Sequence, residues 1–114
     1  RVLDLLERKN QVDDTIVVIT SDHGFHPGEH GFWAKHNCLD NAIRVPLMIR
    51  DTRFGTGSSH APTELLDIFP TLVDLTGNEM PSDTQRLEGK SLRPIMDGSA
   101  EFVKPLARSF WVQG

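Results

Sequence analysis

The sequence has 114 residues, with 12 Lys and Arg against 16 Asp and Glu, for a formal net charge of −4. A nucleic-acid binder usually carries a basic face, which this balance argues against, and an anionic substrate would have to be drawn in by local cations or a metal. A single cysteine, Cys38, excludes an internal disulfide, and no apolar run approaches the ~20 residues that span a bilayer.

The first residues already read as helix and no initiator Met precedes them, so the sequence is read as a piece of a longer chain. Val2, Leu3, Leu5 and Leu6, with charges between them, predict the end of an amphipathic helix over residues 2–9. Asn10 to Asp14 is a polar turn. Residues 15–20, Thr15-Ile16-Val17-Val18-Ile19-Thr20, form an unbroken β-branched run. Such a run predicts an interior strand, buried on both faces of a mainly parallel sheet. Helix then strand is half of an α/β unit.

Residues 21–35 are rich in Gly and His without periodicity and predict a loop. A short helix is expected over 37–43 and a second strand over 45–50, with Pro46 tolerable at its start. Residues 51–62 read as loop. Residues 67–76 predict a helix with Asp67 as N-cap, Pro70 in the first turn, an apolar stripe of Ile68, Leu72 and Leu75, and Gly77 as the stop. A polar loop over 78–90, a helical turn over 91–96 and a strand or turn over 110–114 complete the expectations.

The informative stretch is Thr20-Ser21-Asp22-His23-Gly24, at the end of the apolar strand. Open α/β sheets bind ligands at the carboxyl ends of their strands. A carboxylate and an imidazole placed there can share one cation. An isolated Asp-His-Gly is more often a turn with a satisfied loop histidine. Here, however, a long glycine-rich loop follows, with Gly28-Glu29-His30-Gly31 and then Trp33-Ala34-Lys35. Loops of this kind often carry function. Lys35 is placed to return toward the strand end, where its ammonium could bind an oxyanion as a compact point charge; the alternative is a solvated surface lysine.

The run from Thr15 to Pro46 resembles the sulfatase branch of the alkaline phosphatase superfamily, most like iduronate-2-sulfatase-type enzymes through Trp33-Ala34-Lys35 and its spacing from His23. Ser21-Asp22-His23-Gly24, Gly28-Glu29-His30-Gly31, Trp33-Ala34-Lys35 and Arg44-Val45-Pro46-Leu47 occur in the family's order. Asp67-Ile68-Phe69-Pro70-Thr71, Leu75-Thr76-Gly77 and Glu88-Gly89-Lys90-Ser91-Leu92 resemble the family's following segments.

The resemblance implies an α/β fold, part of an alkaline-phosphatase-like sandwich with a mainly parallel central sheet flanked by helices. Residues 1–100 would be the C-terminal part of the catalytic domain and residues 101–114 the start of the C-terminal subdomain. It implies Asp22 and His23 as metal ligands and Lys35 as a catalytic contact to the substrate's sulfate. Glu29, His30 and Gly31 match the pattern, with a loop-shaping role at least as fitting. Phe25 and His26 stand, on a weak match, where substrate-facing residues lie; His36 and Cys38 match nothing diagnostic.

The implied activity is hydrolysis of a sulfate ester on a small molecule or sugar, with the remainder of the polypeptide as partner. The implied compartments are secreted, periplasmic or lysosomal. The family's nucleophile is a formylglycine made from Cys or Ser in Cys/Ser-x-Pro/Ala-x-Arg. Cys38 is followed by Leu39-Asp40-Asn41-Ala42 and fails that pattern, so no nucleophile is expected in this chain and Cys38 reads as a small packing residue. An imidazole ligand alone would suit zinc or manganese. The resemblance implies calcium, in a site made oxygen-rich by carboxylates outside this sequence. Two other functions stand beside this reading. One is hydrolysis of phosphodiesters or phosphonates by the same superfamily, and the other is a non-catalytic protein retaining the fold.

Overall fold

A computed structural model of the chain describes residues 1–81 and 86–111. The chain divides into two compact units, one comprising Arg1–Phe54 and the segment from Ser109 on, the other Gly55–Arg108.

The first unit opens with α1, Val2–Arg8. Asn10 ends it at φ 53°, a left-handed conformation that Asn tolerates. The Asn10 and Gln11 N–H groups donate back to the carbonyls of Glu7 and Leu6 at 3.0 and 2.9 Å, closing the turn in the Schellman pattern. The β-branched run becomes β1, Val17–Thr20. It pairs antiparallel with β4, Leu47–Arg50, with Val17 opposite Arg50 and Thr20 opposite Leu47. A parallel sheet was expected around β1, but its pairing within the described residues is antiparallel. The reason lies in the connection. Parallel neighbours need a crossover of a dozen or more residues, usually a helix lying on the sheet. Between β1 and β4 the chain instead makes a small hairpin, β2 (His26–Pro27) with β3 (Trp33–Ala34), and one helical turn, α2 (Asp40–Ile43). An antiparallel strand on an otherwise parallel sheet is a common arrangement. With β4 as its strand partner, β1 is half-buried at Val17 and Val18 and exposed at Ile19 and Thr20, rather than covered on both faces.

In the second unit a 3₁₀ turn, Leu65–Asp67, leads into α3, Ile68–Thr76. Pro70 falls in the first turn, and Gly77 at φ 69° stops the helix as expected. Leu75 and Leu92 are buried here, as is Pro70. Asp67 is not the side-chain cap of α3. Its carboxylate turns back to accept the Glu64 N–H at 2.8 Å and reaches across to the Lys90 N–H at 2.8 Å and the Lys104 ammonium at 2.7 Å. Full burial makes those three donors necessary. Thr71 stitches the same region, donating to the Asp67 carbonyl at 2.6 Å and accepting the Leu92 N–H at 2.9 Å. The turn expected over 91–96 is α4, Arg93–Met96, with Pro94 in its first turn. The loop expectation for 78–90 lies partly outside the described residues, at 82–85. That for the last five residues and for 101–114 lies partly outside as well, at 112–114; Phe110 and Trp111 form no strand. No helix among the described residues is long and apolar enough to cross a membrane.

Candidate metal and oxyanion site

The pairing of Thr20 with Leu47 brings the two ends of residues 21–46 together at the carboxyl end of β1. Just past that end, Ser21 Oγ donates to the His23 carbonyl at 2.7 Å, which folds Asp22 and His23 into a tight turn. The turn is anchored by Gly24. Its N–H donates to the Ala42 carbonyl of α2 at 2.8 Å, and a Cβ at Gly24 would stand 1.9 Å from the Asn41 carbonyl oxygen. Only a residue without a side chain admits that approach, which gives the third position of the Asp-His-Gly motif a physical reason.

His23 Nδ1 lies 2.7 Å from the Gly24 carbonyl. A carbonyl only accepts, so Nδ1 carries the proton and the Nε2 lone pair faces outward, the arrangement typical of a metal-ligating histidine. That Nε2 stands 3.5 Å from Asp22 Oδ2 and accepts a hydrogen bond from Lys35 Nζ. The three residues singled out in the sequence therefore meet. Two donors bound to one cation at bond lengths of about 2.0–2.6 Å sit about 3–3.5 Å apart, so Asp22 and His23 fit as two neighbouring ligands. Among the described residues no third His, Cys, Asp or Glu joins them.

Lys35 is delivered by the hairpin. His26 pairs with Ala34 and Pro27 with Trp33. Glu29–Gly31 forms a 3₁₀ turn in which His30 adopts φ 57°, so these residues shape the loop. Ala34, immediately before Lys35, adopts φ 72°, a left-handed conformation rare for a residue with a Cβ. The Asn37 N–H then donates to the Lys35 carbonyl at 2.9 Å.

Two expectations are corrected. His26 faces no substrate. It is fully buried, with Nε2 3.3 Å from Asn37 Oδ1 and its ring tilted against Phe32 at a centroid distance of 6.0 Å. Cys38 is exposed rather than packed. Phe25 is exposed, and the His36 and Trp111 rings pack T-shaped with centroids 5.1 Å apart. The sequence reading missed the roles of Gly24 in the close approach and of Asn37 beyond Lys35. The motif itself signalled the first; a polar side chain just ahead of a short helix was the available signal for the second.

A sequence model of the family described as Sulfatase matches residues 1–78. The chain is 39% identical over 109 residues to a choline-sulfatase of Rhizobium meliloti (strain 1021), which spans 96% of this chain and 21% of that relative. It superimposes with a TM-score of 0.76 and 34% identity on a protein solved with its substrate D-glucosamine-2-N,6-O-disulfate, covering 98% of this chain and 22% of that one. It also superimposes with a TM-score of 0.76 and 38% identity on a phosphonate monoester hydrolase from Silicibacter pomeroyi, covering 99% of this chain and 21% of that one. The chain thus spans about a fifth of the length of the relatives it matches.

Proposed function

The chain belongs to the sulfatase family, on an α/β fold of the alkaline phosphatase superfamily, and from that premise we propose that it forms part of the active site of a sulfuric ester hydrolase. The observation that carries the proposal is the meeting of Asp22, His23 and Lys35 just beyond β1. The Asp22 carboxylate and the His23 Nε2 supply two ligands to a divalent cation, calcium by family likeness. When bound, that cation would polarise a sulfate oxygen and offset its charge. The Gly24 carbonyl keeps the proton on Nδ1 and leaves Nε2 unprotonated, able to accept from Lys35 or to ligate a cation. The Lys35 ammonium lies beside the same nitrogen and, turned to the substrate when the cation is bound, would neutralise charge that builds on the sulfate oxygens as the ester bond breaks. The nucleophile, a formylglycine by the same likeness, is supplied from outside residues 1–114, because no Cys or Ser here sits in the required pattern. The substrate is a sulfated small molecule or sugar, a reading supported by the choline-sulfatase relative and by the sulfated glucosamine bound to the structural neighbour.

The test is turnover by the full-length protein of a chromogenic aryl sulfate and of an aryl phosphonate monoester, with and without a chelator. Chelator-sensitive turnover that favours the sulfate is expected. Preference for the phosphonate would move the protein to the hydrolase class of its other structural neighbour. No turnover of either would leave a non-catalytic relative.

A further inference from the structure

We propose that His26 is a positioning residue that holds Lys35 in place from both sides. The inference rests on the reading of Lys35 as the sulfate contact. Lys35 lies between two segments that His26 touches. Before it, Ala34 pairs with His26 in the hairpin. After it, Asn37 meets His26 Nε2 through Oδ1 at 3.3 Å. The same Asn37 oxygen accepts the Leu39 N–H at 2.8 Å ahead of α2, and the Asn37 N–H donates to the Lys35 carbonyl. The backbone pairing at His26 thus fixes the residue before Lys35, and the imidazole of the same residue adds a tie to Asn37 at the entry of α2, on the far side of Lys35 and His36.

That turn needs a tie. Ala34 is held at φ 72°, a region in which a residue with a Cβ is strained and stays only where its surroundings enforce it. The ring itself is oriented by its own polarity. Asn37 Oδ1 only accepts, so Nε2 carries the proton, and Nδ1 is buried without a partner. An apolar side chain would fill the same space without that orphaned atom. What a histidine fully buried at this point supplies beyond packing is its one donor.

His26→Met fills the space and removes the donor; His26→Gln returns an N–H near the position of Nε2. In the full-length protein, His26→Met is expected to lower turnover by about tenfold to a hundredfold, the scale of a reacting group displaced by about an ångström. His26→Gln should recover most of it. In a Lys35→Ala background His26→Met should change turnover less than about twofold, because its effect passes through Lys35. Independently of activity, amide exchange at Asn37 and Leu39 should quicken in His26→Met and return toward normal in His26→Gln. Should His26→Met fold poorly, Asn37→Ala, which removes the acceptor, is expected to give the same loss through Lys35. Unchanged exchange at both amides, or losses from His26→Met and Lys35→Ala that multiply, would overturn the inference. Quickened exchange with Lys35→Ala at full activity would instead remove Lys35 from the reaction and so count against the proposed function.

Discussion

At Lys35 the two roles open to a lysine differ in what its removal does. A solvated lysine contributes little to turnover or folding. An ammonium aimed at transferring oxygens is worth on the order of 10²–10³ in rate, the scale of one preorganised charge-stabilising donor. Lys35→Ala in the full-length protein should show that loss with a melting temperature close to wild type, and Lys35→Arg should recover only part of it, because a planar fork does not replace a compact ammonium. Steady-state kinetics on both variants, with melts as the folding control, decide between the roles. Gly24 behaves oppositely. A Cβ there meets the Asn41 carbonyl oxygen at 1.9 Å, and that oxygen is backbone. Gly24→Ala should therefore cost at least about 2 kcal/mol in stability as well as displacing Asp22 and His23, and a melt unchanged from wild type would contradict the close approach. Both residues were visible in the sequence as letters of a motif. Only Lys35 could be given a role there, because contact with a backbone oxygen at position 41 leaves no trace in local spacing.

Among the elements, the ion cluster around α3 governs how the second unit holds together. Lys104 lies against Asp67 at 2.7 Å and is also paired with Glu64, and all three side chains are largely buried. Burial pulls the Lys104 pKa down, but the hydrogen bonds that its ammonium donates to Asp67 and Glu64 outweigh it and leave the ammonium above its usual value. The Lys104 hydrogen bond holds the Glu64 carboxyl below the usual glutamate value. Removing one member of a buried cluster strands the others, so Lys104→Met should destabilise the full-length protein by about 3–5 kcal/mol. The pH dependence has a definite sign. A depressed folded-state pKa contributes stability that is present above the ordinary value of 4.5 and is lost as pH falls through the depressed one. The gap in melting temperature between wild type and Lys104→Met should thus be widest near neutrality and narrow below about pH 4.5; a gap that widens in acid would contradict it. Asp74, held low by hydrogen bonds from Ser91 and then Arg93, adds to the same acid sensitivity. Helix α3 was legible from its stripe and its Gly77 stop. The use of Asp67 was not, because its partners Lys90 and Lys104 lie 23 and 37 residues away. For β1, the apolar run indicated a strand but not the direction of its neighbour, which the intervening hairpin decides.

For the molecule as a whole, the two proposed ligands Asp22 and His23 and the ammonium of Lys35, without a nucleophile motif in the sequence, would make a partial reaction centre. The 114 residues expressed alone should show no metal-dependent hydrolysis of an aryl sulfate above background; turnover by purified material would place a nucleophile within this sequence. In the full-length protein the most direct test is bound calcium per chain, measured for the wild type and for Asp22→Ala at matched protein concentration and free calcium. Loss of most of the bound ion in Asp22→Ala, with folding retained, is the result expected if the carboxylate that stands 3.5 Å from the His23 nitrogen is a ligand, as proposed. Equal calcium in the two proteins would contradict the site.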